Sequence, residues 1–350
     1  MTALTAPELH GSLTLTQERD YYQPFRYPQA FEFYKAQEAM HWTVEETPIG
    51  EDKMDWDFRL DNGTKNVYAS VLQWFTQQDV NVASGYYDCI LRWYKQPELR
   101  MMYGHVARTE GLHVDAYSTI PEQLGLPDTD YAGFLKIKET ADKHEYYTQR
   151  VEGATAEERC TFLIRNGVFG EGVSLYGLFT ILMNAQRFGH MKNLGQMITW
   201  SARDEDVHVT INLWTFKTEL EENPEVWNKA FKAKIYDMAR HVTTMEKAYV
   251  REALRHGELP DLTLSDLEKF IEFLVDWRLT QIGLKPIHGV QENPLKWMDW
   301  VFSNSELTNF FENRSAAYAT GMLQGEWKDS YPPSTEEWAT LEPMYSKNTI

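Results

Sequence analysis

"EGLHVDAY", residues 110–117, decides the reading of this chain. Glu110 and His113 are three residues apart and Tyr117 follows four later, so all three share one face of a helix. The pattern Glu-x-x-His returns as "EDVH" at 205–208. One such match is a common accident on a solvated helix, but each of these is preceded by a further acid on a separate long helical stretch. Asp79 lies in "FTQQDVNVAS" and Glu171 in "VFGEGVSLYGLF". The intervals from Asp79 to Glu110 and from Glu171 to Glu205 each suit one helix, a connection and an antiparallel return, which brings the pairs to the same height in a bundle.

Four carboxylates and two imidazoles then project inward from four helices, the arrangement of ferritin-like dimetal carboxylate proteins. The chemistry requires these residue types. Two divalent first-row ions bring four positive charges for the acids to offset, and imidazole suits iron or manganese. Without ions, the clustered buried acids would repel one another at a cost of about several kcal/mol.

Composition agrees with a large helical core. The chain has 350 residues, 43% hydrophobic and 14% aromatic, with a formal net charge of −18. No basic block interrupts that charge, which argues against nucleic acid as a partner. The N-terminus lacks the basic and apolar regions of a secretory signal, and the sequence reading finds no membrane span, so a cytoplasmic protein is expected. Cys89 and Cys160 read as reduced packing thiols.

Helical spacing predicts elements over 28–42, 64–95, 97–120, 130–150, 155–186, 190–221, 224–256, 264–283 and 294–302, with almost no period-two alternation. "PEQLGLPDTD" after residue 120 reads as a loop. The expected fold is an all-α, ferritin-like helical bundle over 21–319, with an N-terminal arm over 1–20 and a tail over 320–350. Gly167, Gly170, Gly172 and Gly177 are costly inside an ordinary helix and predict a π-type distortion that lets Glu171 change its coordination. Leu175 and Phe179, at four-residue steps from Glu171, are expected to shelter Tyr117. A phenol kept dry beside an oxidising dimetal centre can be oxidised to a radical and persist.

At these residues the chain resembles the small, radical-generating subunit of class I ribonucleotide reductase. The resemblance runs from Trp42 to Tyr318 through "HWTVEE", "FTQQDVNV", "EGLHVDAYS", "GEGVSLYGLF", "SARDEDVH", "FIEFLVDWRL", "ENP" and "NFFENRSAAY". It implies metal binding by Asp79, Glu110, His113, Glu171, Glu205 and His208, and a stored radical on Tyr117. It implies two iron ions per chain, with a di-manganese or mixed pair as the alternative, activated by O₂ or a reduced oxygen species. It further implies a homodimer and a large (alpha) subunit as partner, reached by radical transfer through Asp204, Trp42 and Tyr318, so that ribonucleotides are reduced to deoxyribonucleotides.

Asp204 adjoins Glu205 and so points to another face, where it can accept from a ligand imidazole. The chain departs from the family at Leu175, a position often aromatic there, and in its long tail, where Trp327, Tyr331 and Tyr345 compete with Tyr318 as the relay. Two other readings use the same metal pattern: a dimetal oxidase or hydroxylase with its own substrate pocket, and iron storage.

Overall fold

Apolar residues at three- and four-residue steps require long helices to bury them, and the computed structural model, which describes residues 13–126 and 133–299, is built accordingly. Helix α1 spans Pro28–Glu38, α2 Lys53–Phe58, α3 Asn62–Gly85, α4 Pro97–Leu124 and α5 Lys138–Thr148. Then come α6 at Ala156–Phe162, a wide π-helical coil at Leu163–Ser174, α7 at Leu175–Leu182, α8 at Lys192–Glu222, α9 at Lys229–Leu254 and α10 at Leu264–Gln281. Among the described residues there is no strand.

Four segments enclose the core. Helix α3 packs along α4, and the π-helical coil packs along α8. Val67, Val71, Leu72 and Phe75 of α3 and Val106 of α4 are fully buried between them or nearly so. Helix α1 covers α4 from outside, while α9 and α10 back the coil.

Side chains fix where these helices start. The Asp61 carboxylate accepts from Thr64 N at 2.8 Å and opens α3; Thr155 and Glu158 form a reciprocal cap on α6, and Asn228 caps α9. The start of α8 is capped from elsewhere: buried Asp52 accepts from Leu194 N at 2.7 Å and from Asn193 N at 3.2 Å.

Several boundaries differ from the sequence reading. Helix α4 runs on through Pro121 to Leu124 and ends at Gly125, whose φ of 71° is the left-handed cap. The stretch read as a break after residue 42 holds 3₁₀ turns at Val44–Glu46 and Ile49–Asp52 and then α2. Within the described part of the expected helix over 130–150, a 3₁₀ turn at Gly133–Lys136 precedes the α-helix that starts at Lys138, and near 294 the described part is a 3₁₀ turn, Lys296–Met298. One stretch, Ala156–Phe188, is long and apolar enough to cross a membrane, contrary to the sequence reading, but its apolar 18-residue window is wholly buried inside this fold. Cys89 and Cys160 are buried free thiols.

Candidate metal centre

Helix α3 contributes Asp79, α4 Glu110 and His113, the π-helical coil Glu171, and α8 Glu205 and His208. All six are at most 1% exposed. His208 Nδ1 lies 2.8 Å from Glu110 Oε1 and 3.4 Å from Glu205 Oε2. His113 Nδ1 lies 3.1 Å from Glu205 Oε1 and 3.6 Å from Glu110 Oε2. Two overlapping donor sets result, Glu110–Glu171–Glu205–His208 and Asp79–Glu110–His113, each with its donor atoms within 4.8 Å of one another.

These atoms fit a metal pair better than they fit each other. Both oxygens of Asp79, Glu110 and Glu205 and the Nδ1 atoms of His113 and His208 are buried without a well-formed hydrogen bond. Buried polar groups are nearly always satisfied, so such a concentration of unsatisfied donor atoms marks a site built for cations.

The protein's own charges share protons to compensate. Burial and then the neighbouring Glu110 push Asp79 well above the ordinary carboxylate range, and burial with Glu205 does the same to Glu171. Burial also raises Glu110, but the adjacent His113 and His208 imidazoles outweigh it and hold that acid down at about 2. Both imidazoles are pushed up, since their carboxylate partners overcome the cost of burial.

The far side of His113 leads outward. Its Nε2 faces Asp204 Oδ2 at 3.4 Å, and Trp42 Nε1 donates to that same oxygen at 2.7 Å. The Trp42 ring lies over His113 with centroids 6.2 Å apart and touches Trp200 at 5.5 Å. Burial raises Asp204, yet His113 more than offsets it and the acid is held below its usual range.

Tyr117 is fully buried, 6.1 Å from the His113 ring, and its hydroxyl makes no well-formed hydrogen bond, with Ser201 the hydroxyl nearby. The ring meeting it edge-on at 4.3 Å is Phe75, with Phe179 behind Phe75 at 5.2 Å. Leu175 is buried, and the sequence places Phe75, four residues before Asp79, on the apolar face of its helix without giving it a part beside Tyr117.

It also gives Tyr86, read only as part of that apolar face, and Asn212 no part at the cluster. Tyr86 donates to Glu171 Oε1 at 2.6 Å, and Asn212 Nδ2 donates to Tyr86 Oη at 2.7 Å and to the His208 carbonyl at 2.9 Å. Both were within reach of periodicity: Tyr86 is two turns beyond Asp79, and Asn212 is one turn beyond His208.

The distortion expected around Glu171 is present, and it is long. The π-helical coil occupies Leu163–Ser174. A Cβ at Gly167 would sit 2.4 Å from Asn212 Cγ, and one at Gly172 would sit 2.5 Å from Arg278 Nε. Arg278 Nε donates to the Gly172 carbonyl at 3.1 Å, satisfying backbone that the wide coil disturbs. Tyr318, Trp327, Tyr331 and Tyr345 lie outside the described residues.

An all-α bundle carrying this buried carboxylate and histidine cluster defines a ferritin-like dimetal-carboxylate protein. The family model for the ribonucleotide reductase small chain matches residues 19–294. The chain belongs to that family and is the small subunit of a ribonucleoside-diphosphate reductase. It is 33% identical over 336 residues to a probable ribonucleoside-diphosphate reductase small subunit of Invertebrate iridescent virus 3, covering 91% of this chain and 89% of the viral one. In fold it is similar to the ribonucleotide reductase R2 subunit of Clostridium botulinum, with a TM-score of 0.75 and 20% identity, covering 81% of this chain and 90% of that one. It is likewise similar to the Rnr4 homodimer of Saccharomyces cerevisiae, with a TM-score of 0.67 and 19% identity, covering 84% and 90%.

Proposed function

We propose that Asp79, Glu110, His113, Glu171, Glu205 and His208 hold two iron ions, with manganese as the alternative, and that Tyr117 stores the oxidising equivalent. Bound there and exposed to O₂ or a reduced oxygen species, such a pair supplies one-electron oxidation of a nearby phenol. The chain's own residues do the rest. Phe75 and Phe179 keep water from Tyr117, and Asp204 fixes the His113 tautomer by accepting at Nε2. Trp42 and Asp204 then conduct the equivalent outward to a tail aromatic, Tyr318 by sequence position, and to the large (alpha) subunit, where ribonucleotides are reduced.

The observation that carries this reading is the buried run from His113 through Asp204 to Trp42. It connects the metal donors to an indole at a hydrogen-bonded distance, a connection that a storage protein does not need. The rival reading of an oxidase with its own substrate finds little room. The cavity lined by Trp42, His105, Asp204 and His208 measures about 10 Å³, enough for one water, against the roughly 300 Å³ of a small-molecule pocket. A homodimer acting in the cytoplasm completes the proposal, and the yeast relative's homodimer supports the dimeric part.

The test is low-temperature electron paramagnetic resonance on protein loaded separately with iron and with manganese in air. A long-lived tyrosyl doublet that disappears in Tyr117→Phe supports storage on the phenol. A multiline mixed-valence manganese signal without that doublet moves storage onto the metals.

A further inference from the structure

Arg278 of α10 both crowds Gly172 and bonds to it. A Cβ on that glycine would stand 2.5 Å from Arg278 Nε and 3.1 Å from its Cζ, and the same Nε donates to the Gly172 carbonyl at 3.1 Å. The arginine is 1% exposed. Its guanidinium lies 4.1 Å from the Trp277 ring centroid and 5.6 Å from that of Tyr176, and Nη1 donates to Gln281 Oε1 at 2.8 Å. A buried cation is costly unless its donors find acceptors, and here one donor is given to the backbone of the coil.

Helix α10 can bear on the coil because it is itself anchored. Buried Asp276, two residues before the arginine, accepts from Ile287 N at 2.7 Å, His288 N at 3.0 Å and Val290 N at 3.0 Å. Arg278 therefore reaches the coil from a fixed base. The carbonyl it takes belongs to the residue after Glu171. Leu175 N closes on the Gly170 carbonyl, five residues back, so Glu171 and Gly172 lie inside the last wide turn. Narrowing that turn to an ordinary one would rotate the residues within it about the helix axis relative to α7. The direction of Glu171 thus depends on the turn staying open. Glu171 belongs to only one of the two donor sets, Glu110–Glu171–Glu205–His208, and the set Asp79–Glu110–His113 does without it.

We propose that Arg278 is a positioning residue for one metal ion of the pair: by holding the Gly172 carbonyl it keeps the last turn of the coil open, which sets where Glu171 stands and hence how tightly the four-donor set binds. The inference rests on the metal-binding role proposed above and assigns within it a residue that touches no ion. The three-donor set is built from α3 and α4 and does not depend on this contact.

The test titrates the full chain with Mn²⁺ alone and reads the free ion by electron paramagnetic resonance at room temperature, which gives two binding constants without turnover. Glutamine carries its amide nitrogen the same number of bonds from the backbone as the arginine Nε, whereas methionine has the same length and no donor. Arg278→Met is expected to hold one ion as tightly as wild type and the second about tenfold more weakly. Arg278→Gln, equally uncharged, is expected to restore the second. Gly172→Ala, which keeps the arginine but crowds it off the carbonyl, is expected to repeat the methionine result, and it decides the matter if Arg278→Met does not fold. The proposal is overturned if the methionine or alanine variant holds both ions as tightly as wild type, if both ions weaken together, or if glutamine binds no better than methionine. Wild-type protein that takes up fewer than two ions overturns this proposal together with the reading beneath it; two ions in wild type with any of those results overturns this one alone.

Discussion

Trp42 donates its indole N–H to Asp204 at 2.7 Å, and the acceptor is the same oxygen that faces His113. One carboxylate therefore joins an imidazole of the buried carboxylate and histidine cluster to the Trp42 indole beyond it. Asp204→Asn keeps the shape and removes the charge. Metal content is expected to stay within about twofold of wild type, while reduction with the large subunit falls about 10–100-fold. Metal analysis beside a coupled reduction assay checks this, and unchanged turnover would show that the charge is dispensable.

The Tyr117 hydroxyl has at most a loose contact with Ser201 to lose. Tyr117→Phe should therefore alter unfolding free energy by less than about 1 kcal/mol, the worth of one net hydrogen bond. The long-lived doublet and turnover should both vanish. Full turnover in this variant would place the stored equivalent on the metals.

Gly167 lies against Asn212, where a Cβ would approach to 2.4 Å. Gly167→Ala should destabilise the protein by about 1–3 kcal/mol, the usual cost of overpacking a filled core. It should also displace Asn212 from Tyr86. A denaturant midpoint equal to wild type would mean that the coil yields more easily than its packing implies.

Metal-free protein should lose stability as pH rises. The His113 and His208 imidazoles are pushed above their ordinary 6.5 because their carboxylate partners outweigh burial, so their contribution is complete below that value and is lost as pH climbs through the raised ones. Asp79 and Glu171, raised by burial, act in the same direction once the unfolded chain ionises above 3.8 and 4.5. Glu110, held at about 2, contributes above 4.5 and loses that contribution as pH falls, so it adds no slope near neutrality. Metals displace the shared protons. The gain in melting temperature on adding Mn²⁺ should therefore be larger at about pH 8 than at about pH 6, and a gain independent of pH would contradict the proton sharing.

That Asp79, Glu110, His113, Glu171, Glu205 and His208 cluster was legible because side chains that meet inside a bundle must return to its inner helix faces, and their spacings place them there in the fold. The glycines around Glu171 signalled a distortion because their helical cost needed a cause. Its length was not legible, since that depends on Arg278 and Asn212 approaching from other helices. Tyr86 was overlooked for a related reason: a buried tyrosine is ordinary until Glu171 is known to face it. The end of α4 was misread because Pro121 resembles a loop signal, whereas the tertiary fold carries the last turn on to Gly125.

The wide coil at Leu163–Ser174 also governs how this chain can change in length. A coil that closes over five residues instead of four takes up extra residues in each turn. Removing one without closing a wide turn to an ordinary one would rotate everything beyond it by roughly a quarter of a turn around the helix axis. The side chains from Leu175 to Leu182, all buried, would then face the wrong neighbours while those before the coil stayed in place. Descendants of this sequence can thus exchange side chains here one at a time, but they can gain or lose a residue only by closing or opening a wide turn beside Glu171 or by re-phasing it and the helix after it together.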